Sequence, residues 1–153
     1  MQRSPCYLKQ WAPPQLISRI SWDDCLDKLD HDVHAGYWGY ANDPKEGMIP
    51  TIVTEGFYQP ESFIGISELV YSTFFMNRLD TYISFSKTST FGRHNDDVDV
   101  VIVSVKGDVR YTFDSGEQYT LEPGDAIHIP EGTYHDPQCF GPRCTLSYSM
   151  EKY

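Results

Sequence analysis

From about residue 72 the chain breaks into short runs rich in Val, Ile, Tyr, Phe and Thr, at 72–76, 81–86, 98–105, 108–113, 117–121, 126–129, 133–136 and 143–150. Gly, Asp, Pro or Asn separates most of them. Lys106-Gly107-Asp108 and Asp114-Ser115-Gly116-Glu117 have the composition of hairpin turns. Many short strands at close spacing predict an all-β sandwich or barrel. The chain before residue 71 reads differently. Residues 1–20 hold three prolines and predict an extended arm. Trp22, Cys25, Leu26 and Leu29 then fall at helical spacing behind Ser21, which can cap a helix with Asp24 three residues on. This predicts a helix over 22–30. Residues 31–50 read mainly as loop, and Pro60-Glu61-Ser62 opens a second helix over 61–70. The length suits a single domain, with residues 1–70 as an arm and helices packing on a barrel of residues 71–153.

Composition narrows the function. The net charge is −10, from 22 acidic and 12 basic residues, a field that repels phosphate backbones and anionic membranes. Neither nucleic acid nor a membrane is an expected partner. No run of 18 apolar residues occurs, and the first residues lack the apolar core of a signal peptide. A cytoplasmic protein is the expectation. Cys6, Cys25, Cys139 and Cys144 form no CxxC pair, which disfavours a zinc knuckle. Cys139 and Cys144 flank the turn FGPR and could face each other, but free thiols suit a reducing compartment better. Aromatic residues make up 14% of the chain, enough to line a large interior.

Two stretches carry chemistry. The first, FGRHNDD, contains His94-x-Asp96, whose side chains leave the same face if the segment is extended. The second, GDAIHIPEGTYH, has the form G-x5-P-x-G-x2-H and presents His135 after a Pro130-x-Gly132 turn. Two histidines and one aspartate are the ligand set of a facial triad, which holds one face of an octahedral ion and leaves the others open for reactants. By formal charge, Fe(II) in such a set carries about +1, which favours an anionic chelating co-substrate. Other polar residues read as bland. His31 and His34 share one face of a helical turn but have no carboxylate motif beside them. His128 lies within the AIHIP strand and reads as packing. Asp97 and Asp99 are near the ligands in sequence; Asp97 is expected to face away and orient a turn, or to support the ligands from outside.

The second stretch resembles the second motif of the cupin superfamily, whose fold is a double-stranded β-helix, a jelly-roll barrel. In the first cupin motif Gly107 fits, but Val100 stands at the usual Glu and Asp96 at the second His. This departure moves towards the JmjC-type Fe(II)- and 2-oxoglutarate-dependent oxygenases. FGRHNDDVDVVIVSVKGDVRYTF followed by LEPGDAIHIPEGTYH looks like the core of their ribosomal-oxygenase group. The likeness covers roughly residues 80–149. It implies an all-β double-stranded β-helix with one or two short N-terminal helices, and His94, Asp96 and His135 as iron ligands.

The resemblance also implies a cation for the distal carboxylate of 2-oxoglutarate, on the strand after Gly107. Val109 occupies that place and cannot serve; Arg110 should face outward. Arg143 is the first substitute, because Arg143-Cys144-Thr145 resembles the Arg-x-Ser/Thr element of other 2-oxoglutarate oxygenases. Arg93 and Lys87 are weaker substitutes. Tyr82, Ser84 and Thr145 are expected beside the co-substrate. The function implied is a non-haem iron hydroxylase that uses 2-oxoglutarate and acts on a C–H bond of a protein, peptide or small molecule. Two rivals stand beside it. One is a cupin dioxygenase that binds its substrate on iron without 2-oxoglutarate, which Val109 favours. The other is a non-catalytic cupin-like module for a small ligand or partner. Pairing through edge strands would give a homodimer.

Overall fold

The run VVIVSVK shows no polar alternation because it is covered on both faces. The computed structural model, which describes residues 3–41, 49–87 and 92–150, places it as β5 (Val100–Lys106) inside a seven-stranded sheet. The other strands are β1 (Cys6–Leu8), β2 (Trp38–Tyr40), β3 (Ile52–Thr54), β4 (Arg78–Ser84), β6 (Val109–Phe113), β7 (Gln118–Leu121), β8 (Ala126–Ile129), β9 (His135–Cys139) and β10 (Arg143–Ser149). The helices are α1 (Pro14–Ser18), α2 (Trp22–Ala35) and α3 (Glu61–Phe74). The large sheet runs β1-β8-β5-β10-β4-β3-β2 and the small one β7-β6-β9. All paired strands are antiparallel. The predicted double-stranded β-helix is the observed fold.

Two apolar clusters divide the faces of the large sheet. Val101, Val103 and Val105 pack with Ile20, Cys25, Phe63, Ile66 and Val70 in the helix layer. Val100 and Ile102 instead join Val109, Tyr111, Phe113, Leu121, Ile127 and Ile129 between the two sheets. Strand β10 is likewise buried at every position. A strand with no solvent face loses its polar alternation.

The capping box holds: Asp24 N donates to Ser21 Oγ at 3.0 Å and Ser21 N to Asp24 Oδ2 at 3.1 Å. Helix α2 runs past residue 30 to Ala35, where Gly36 takes a left-handed φ of 83° and ends it. The predicted loop 31–50 therefore contains the last helical turn and β2; residues 42–48 lie outside the described residues. The predicted strand 72–76 is the end of α3. Its aromatic composition suggests a strand, but Phe74 continues the helical spacing of Phe63, Ile66 and Val70 and packs 5.6 Å from the Trp11 ring. The strand expected over 133–136 starts at His135 and runs to Cys139. Pro137 is accommodated because β9 is an edge strand of the small sheet.

All four cysteines are free thiols. Cys139 and Cys144 do not face each other. They lie on different sheets, and the Cys144 thiol meets Cys25 of α2, whose hydrogen bond pushes its pKa well up. Among the described residues no helix is long and apolar enough to cross a membrane.

Candidate metal centre

His94 lies outside the named strands, yet it forms a one-residue antiparallel bridge with His135. His94 N donates to His135 O at 2.9 Å and His135 N to His94 O at 2.8 Å. The turn before His135 explains its approach. Thr133 N closes back on Pro130 O at 3.2 Å, and Gly132 takes φ of 77°, which a side chain would strain. Gly132 N then donates to Asp96 O at 2.8 Å, so the turn is tied to the HxD segment at a second point.

This brings the predicted triad together. The ligand atoms of His94, Asp96 and His135 all lie within 4.8 Å of one another, and His135 Nε2 is 3.5 Å from Asp96 Oδ2. Each imidazole is oriented through its other nitrogen. His94 Nδ1 lies 2.8 Å from Gly92 O and His135 Nδ1 2.8 Å from Thr133 O. A carbonyl only accepts, so Nδ1 carries the proton in both rings and Nε2 is the ligating nitrogen. Burial also pulls the His135 pKa below its ordinary value, favouring the neutral imidazole that a metal requires. The three side chains could hold a metal ion, with Nε2 of both imidazoles turned to it.

The other expected residues fall into two groups. Arg143, Thr145, Tyr82 and Ser84 stand together: β10 pairs with β4 so that Arg143 faces Ser84 and Thr145 faces Tyr82. Arg143 is 1% exposed. Its Nε donates to Ser84 Oγ and its Nη1 to Thr145 Oγ1, both at 3.0 Å, and its Cζ lies 5.9 Å from the Tyr82 ring centroid. Nη2 has no hydrogen-bond partner, and no carboxylate forms an ion pair with Arg143 among the described residues. Burial raises the Tyr82 pKa, with the charges of Asp80 and Asp96 adding to it and Arg143 opposing it.

Arg93 does not join them: it forms an exposed two-point pair with Asp114 and stacks 3.9 Å over Tyr134. Lys87 is exposed. Val109 is fully buried in the inner apolar cluster, and Arg110 on the opposite face bonds Gln138, as strand parity requires. His128 packs on Phe74, its ring 6.3 Å away and nearly parallel.

Two inner residues were missed. Tyr111 is buried, its ring 6.1 Å from that of His135 and its hydroxyl close enough to Arg143 for that charge to oppose the burial that raises its pKa. It shares strand parity with Val109, the signal that could have found it. Asp80, two residues before Tyr82, is the other. Burial raises its pKa to about 6 despite Arg78 at 3.6 Å. A folded-state pKa above the unfolded value near 3.8 means the stabilising contribution is full below pH 3.8 and is lost as pH rises through 6. Asp80→Asn should therefore match wild type near pH 4 and exceed it at pH 8 by about 2–3 kcal/mol. Urea melts across that range check this, and a pH-independent difference would contradict it.

Residues 82–146 match the family model described as "Cupin domain". The match covers fewer than half of the chain's residues. The two sheets and the N-terminal segments superpose on the E. coli ycfD structure over 99% of this chain and 50% of that one, with a TM-score of 0.74 and 19% identity. A second structure, of YcfD described as a ribosomal oxygenase from Escherichia coli in complex with cobalt and 2-oxoglutarate, gives 0.70 and 18%, covering 99% and 49% of the two chains. A Pseudomonas putida prolyl-4-hydroxylase matches with a TM-score of 0.59 and 12% identity, over 97% of this chain and 93% of that one. At these identities the likeness is one of fold. The chain spans about half the length of the Escherichia coli structures. A search of the curated proteins gives no match.

Proposed function

We propose that the chain is a non-haem Fe(II)- and 2-oxoglutarate-dependent oxygenase of the JmjC type, hydroxylating a C–H bond of a protein, peptide or small molecule. His94, Asp96 and His135 hold the metal. Arg143 holds the distal carboxylate of 2-oxoglutarate. The observation that carries this reading is Arg143 itself. A fully buried guanidinium with no acidic partner and no bond to Nη2 among the described residues is costly unless an anion completes it. Tyr111 links the two ends, its ring near His135 and its hydroxyl near Arg143.

Bound there, Fe(II) would couple oxidative decarboxylation of 2-oxoglutarate by O₂ to oxidation of the substrate. The chain supplies the rest. Ser84 and Thr145 fix the plane of the guanidinium so that a carboxylate meets a ready-made fork. Tyr82 and Tyr111, kept protonated by burial, can donate to the co-substrate. Val100, Ile102, Phe113 and Ile127 exclude water from the other half of the interior. The acidic surface keeps phosphate polymers away, and the free thiols suit the cytoplasm. Pairing into a homodimer through edge strands completes this reading.

An anaerobic optical titration tests it. Fe(II)-loaded protein should develop a weak visible charge-transfer band that saturates with added 2-oxoglutarate. Stoichiometric Fe(II) without a band would favour the dioxygenase that dispenses with 2-oxoglutarate, the reading to which Val109 points. Absence of Fe(II) binding would favour a ligand-binding module.

A further inference from the structure

The two segments that carry the triad are also joined from outside. Glu131 and Gly132 are successive residues of the turn before His135, and both amides point at the HxD side. Gly132 N donates to Asp96 O at 2.8 Å, and Glu131 N donates to Asp99 Oδ1, also at 2.8 Å. Asp99 is thus a side-chain tie three residues beyond Asp96. Its own orientation is set by Arg3. Arg3 Nη1 reaches Asp99 Oδ2 and Nη2 reaches Asp99 Oδ1, each at 2.7 Å, a fork-to-carboxylate pair. The hydrogen bond from Arg3 is the largest influence holding the Asp99 pKa below its usual range, and the Glu131 amide adds to it.

Arg3 is delivered by a fixed segment. Three residues on, β1 pairs with β8, setting Cys6 opposite His128. Tyr7 Oη and Gln10 N both donate to Asp125, at 2.8 Å each, and Tyr7 stacks on Tyr119 at 5.5 Å. The segment borders the turn: Arg3 lines one cavity with Asp99, His128 and Glu131, and with Ser4 and Pro5 it lines another that includes Gly132 and Thr133. A lone carboxylate bonded to one amide can rotate about χ2. A two-point fork fixes its plane, and with it the distance between the HxD segment and the turn.

We propose that Arg3 and Asp99 are positioning residues for the metal centre: a clamp on the spacing between Asp96 and His135 that touches neither ligand. The proposal rests on the reading of His94, Asp96 and His135 as a metal site. A surface ion pair would ordinarily contribute little to stability, and the Arg3 side chain is 60% exposed. The clamp should therefore act on metal affinity far more than on folding.

Co(II) is the probe, because its visible spectrum reports coordination geometry as well as occupancy. Asp99→Asn keeps an acceptor for the Glu131 amide but loses the charged fork; it should raise the Co(II) dissociation constant about tenfold and alter the visible band. Arg3→Ala should do the same to a lesser degree, about threefold or more. Arg3→Lys keeps the charge but not the fork, and should resemble Arg3→Ala rather than wild type. The double variant should be no worse than Asp99→Asn, since the two residues act as one unit. The melting temperature of the metal-free Arg3 variants should move by less than about 3 °C. Wild-type Co(II) affinity and spectrum in the Arg3 variants, with binding lost in His94→Ala, would overturn the clamp and leave the metal site standing. Equal Co(II) binding by wild type and His94→Ala would overturn the metal site, and the clamp with it. The Arg3 variants decide alone if Asp99→Asn fails to fold.

Discussion

Alanine at His94, Asp96 or His135 is expected to raise the Fe(II) dissociation constant by at least about a hundredfold, beyond the 10- to 100-fold that loss of an outer partner costs. Two remaining ligands cannot close one face of an octahedral ion. The three variants should differ in their effect on the metal-free fold. Asp96 is half-buried and its removal leaves little cavity. His135 is 2% exposed, with the rings of Tyr111 and Phe113 within about 6 Å, so its truncation should cost about 1–3 kcal/mol. Isothermal titration under anaerobic conditions, with urea melts of the metal-free proteins, separates the two effects. Stoichiometric iron in His94→Ala and Asp96→Ala would remove both residues from the site.

Arg143→Met should produce two changes of opposite sign. The 2-oxoglutarate charge-transfer band should disappear at concentrations that saturate wild type, because the distal carboxylate loses the buried guanidinium that would hold it. At the same time the ligand-free protein should become more stable. Wild type bears the desolvation of a guanidinium that, among the described residues, two hydroxyls satisfy only in part, and a thioether chain of similar length fills the space without that cost. Ser84 keeps a partner in Thr51 at 3.0 Å. A gain of about 1–2 kcal/mol corresponds to roughly 2–8 °C in melting temperature for a chain of this size. Wild type should recover the difference when 2-oxoglutarate is added, since 100 times the dissociation constant contributes about 2.7 kcal/mol. An unchanged band in Arg143→Met would move the anchor elsewhere. A strongly destabilised variant would mean that Arg143 is a structural residue.

The two motifs were legible because each is local: His94 and Asp96 are two apart, and Pro130, Gly132 and His135 lie within one turn. Arg143 was singled out because Arg143-Cys144-Thr145 resembles the Arg-x-Ser/Thr element of other 2-oxoglutarate oxygenases. Tyr111 shares strand parity with Val109, and Asp80 with Tyr82, but no motif singled either residue out. Arg3 and Asp99 are 96 residues apart, and no periodicity connects them. Strands β1, β2 and β3 have three residues each and lie among Pro, Gly and polar positions, too short for alternation to show. The helix end at 71–74 was obscured by aromatic residues that favour strands when solvent covers one side, whereas here tertiary packing selects the helix.

The two-sided burial of β5 has a cost before the native state is reached. Six of its seven residues are uncharged and five are Val or Ile, with no Pro or Gly to interrupt them. Until α2 and α3 dock, Val101, Val103 and Val105 present an apolar ridge, while Val100 and Ile102 present another on the reverse side. Such a segment is competent to stack with copies of itself. Asp99 and Lys106 bracket it with opposite charges, in the manner of gatekeepers. The helices, which contribute no ligand to the triad, thereby act as the chain's own protection against aggregation during synthesis. Surface changes that slow their docking should lower the yield of native protein without altering the chemistry of what does fold.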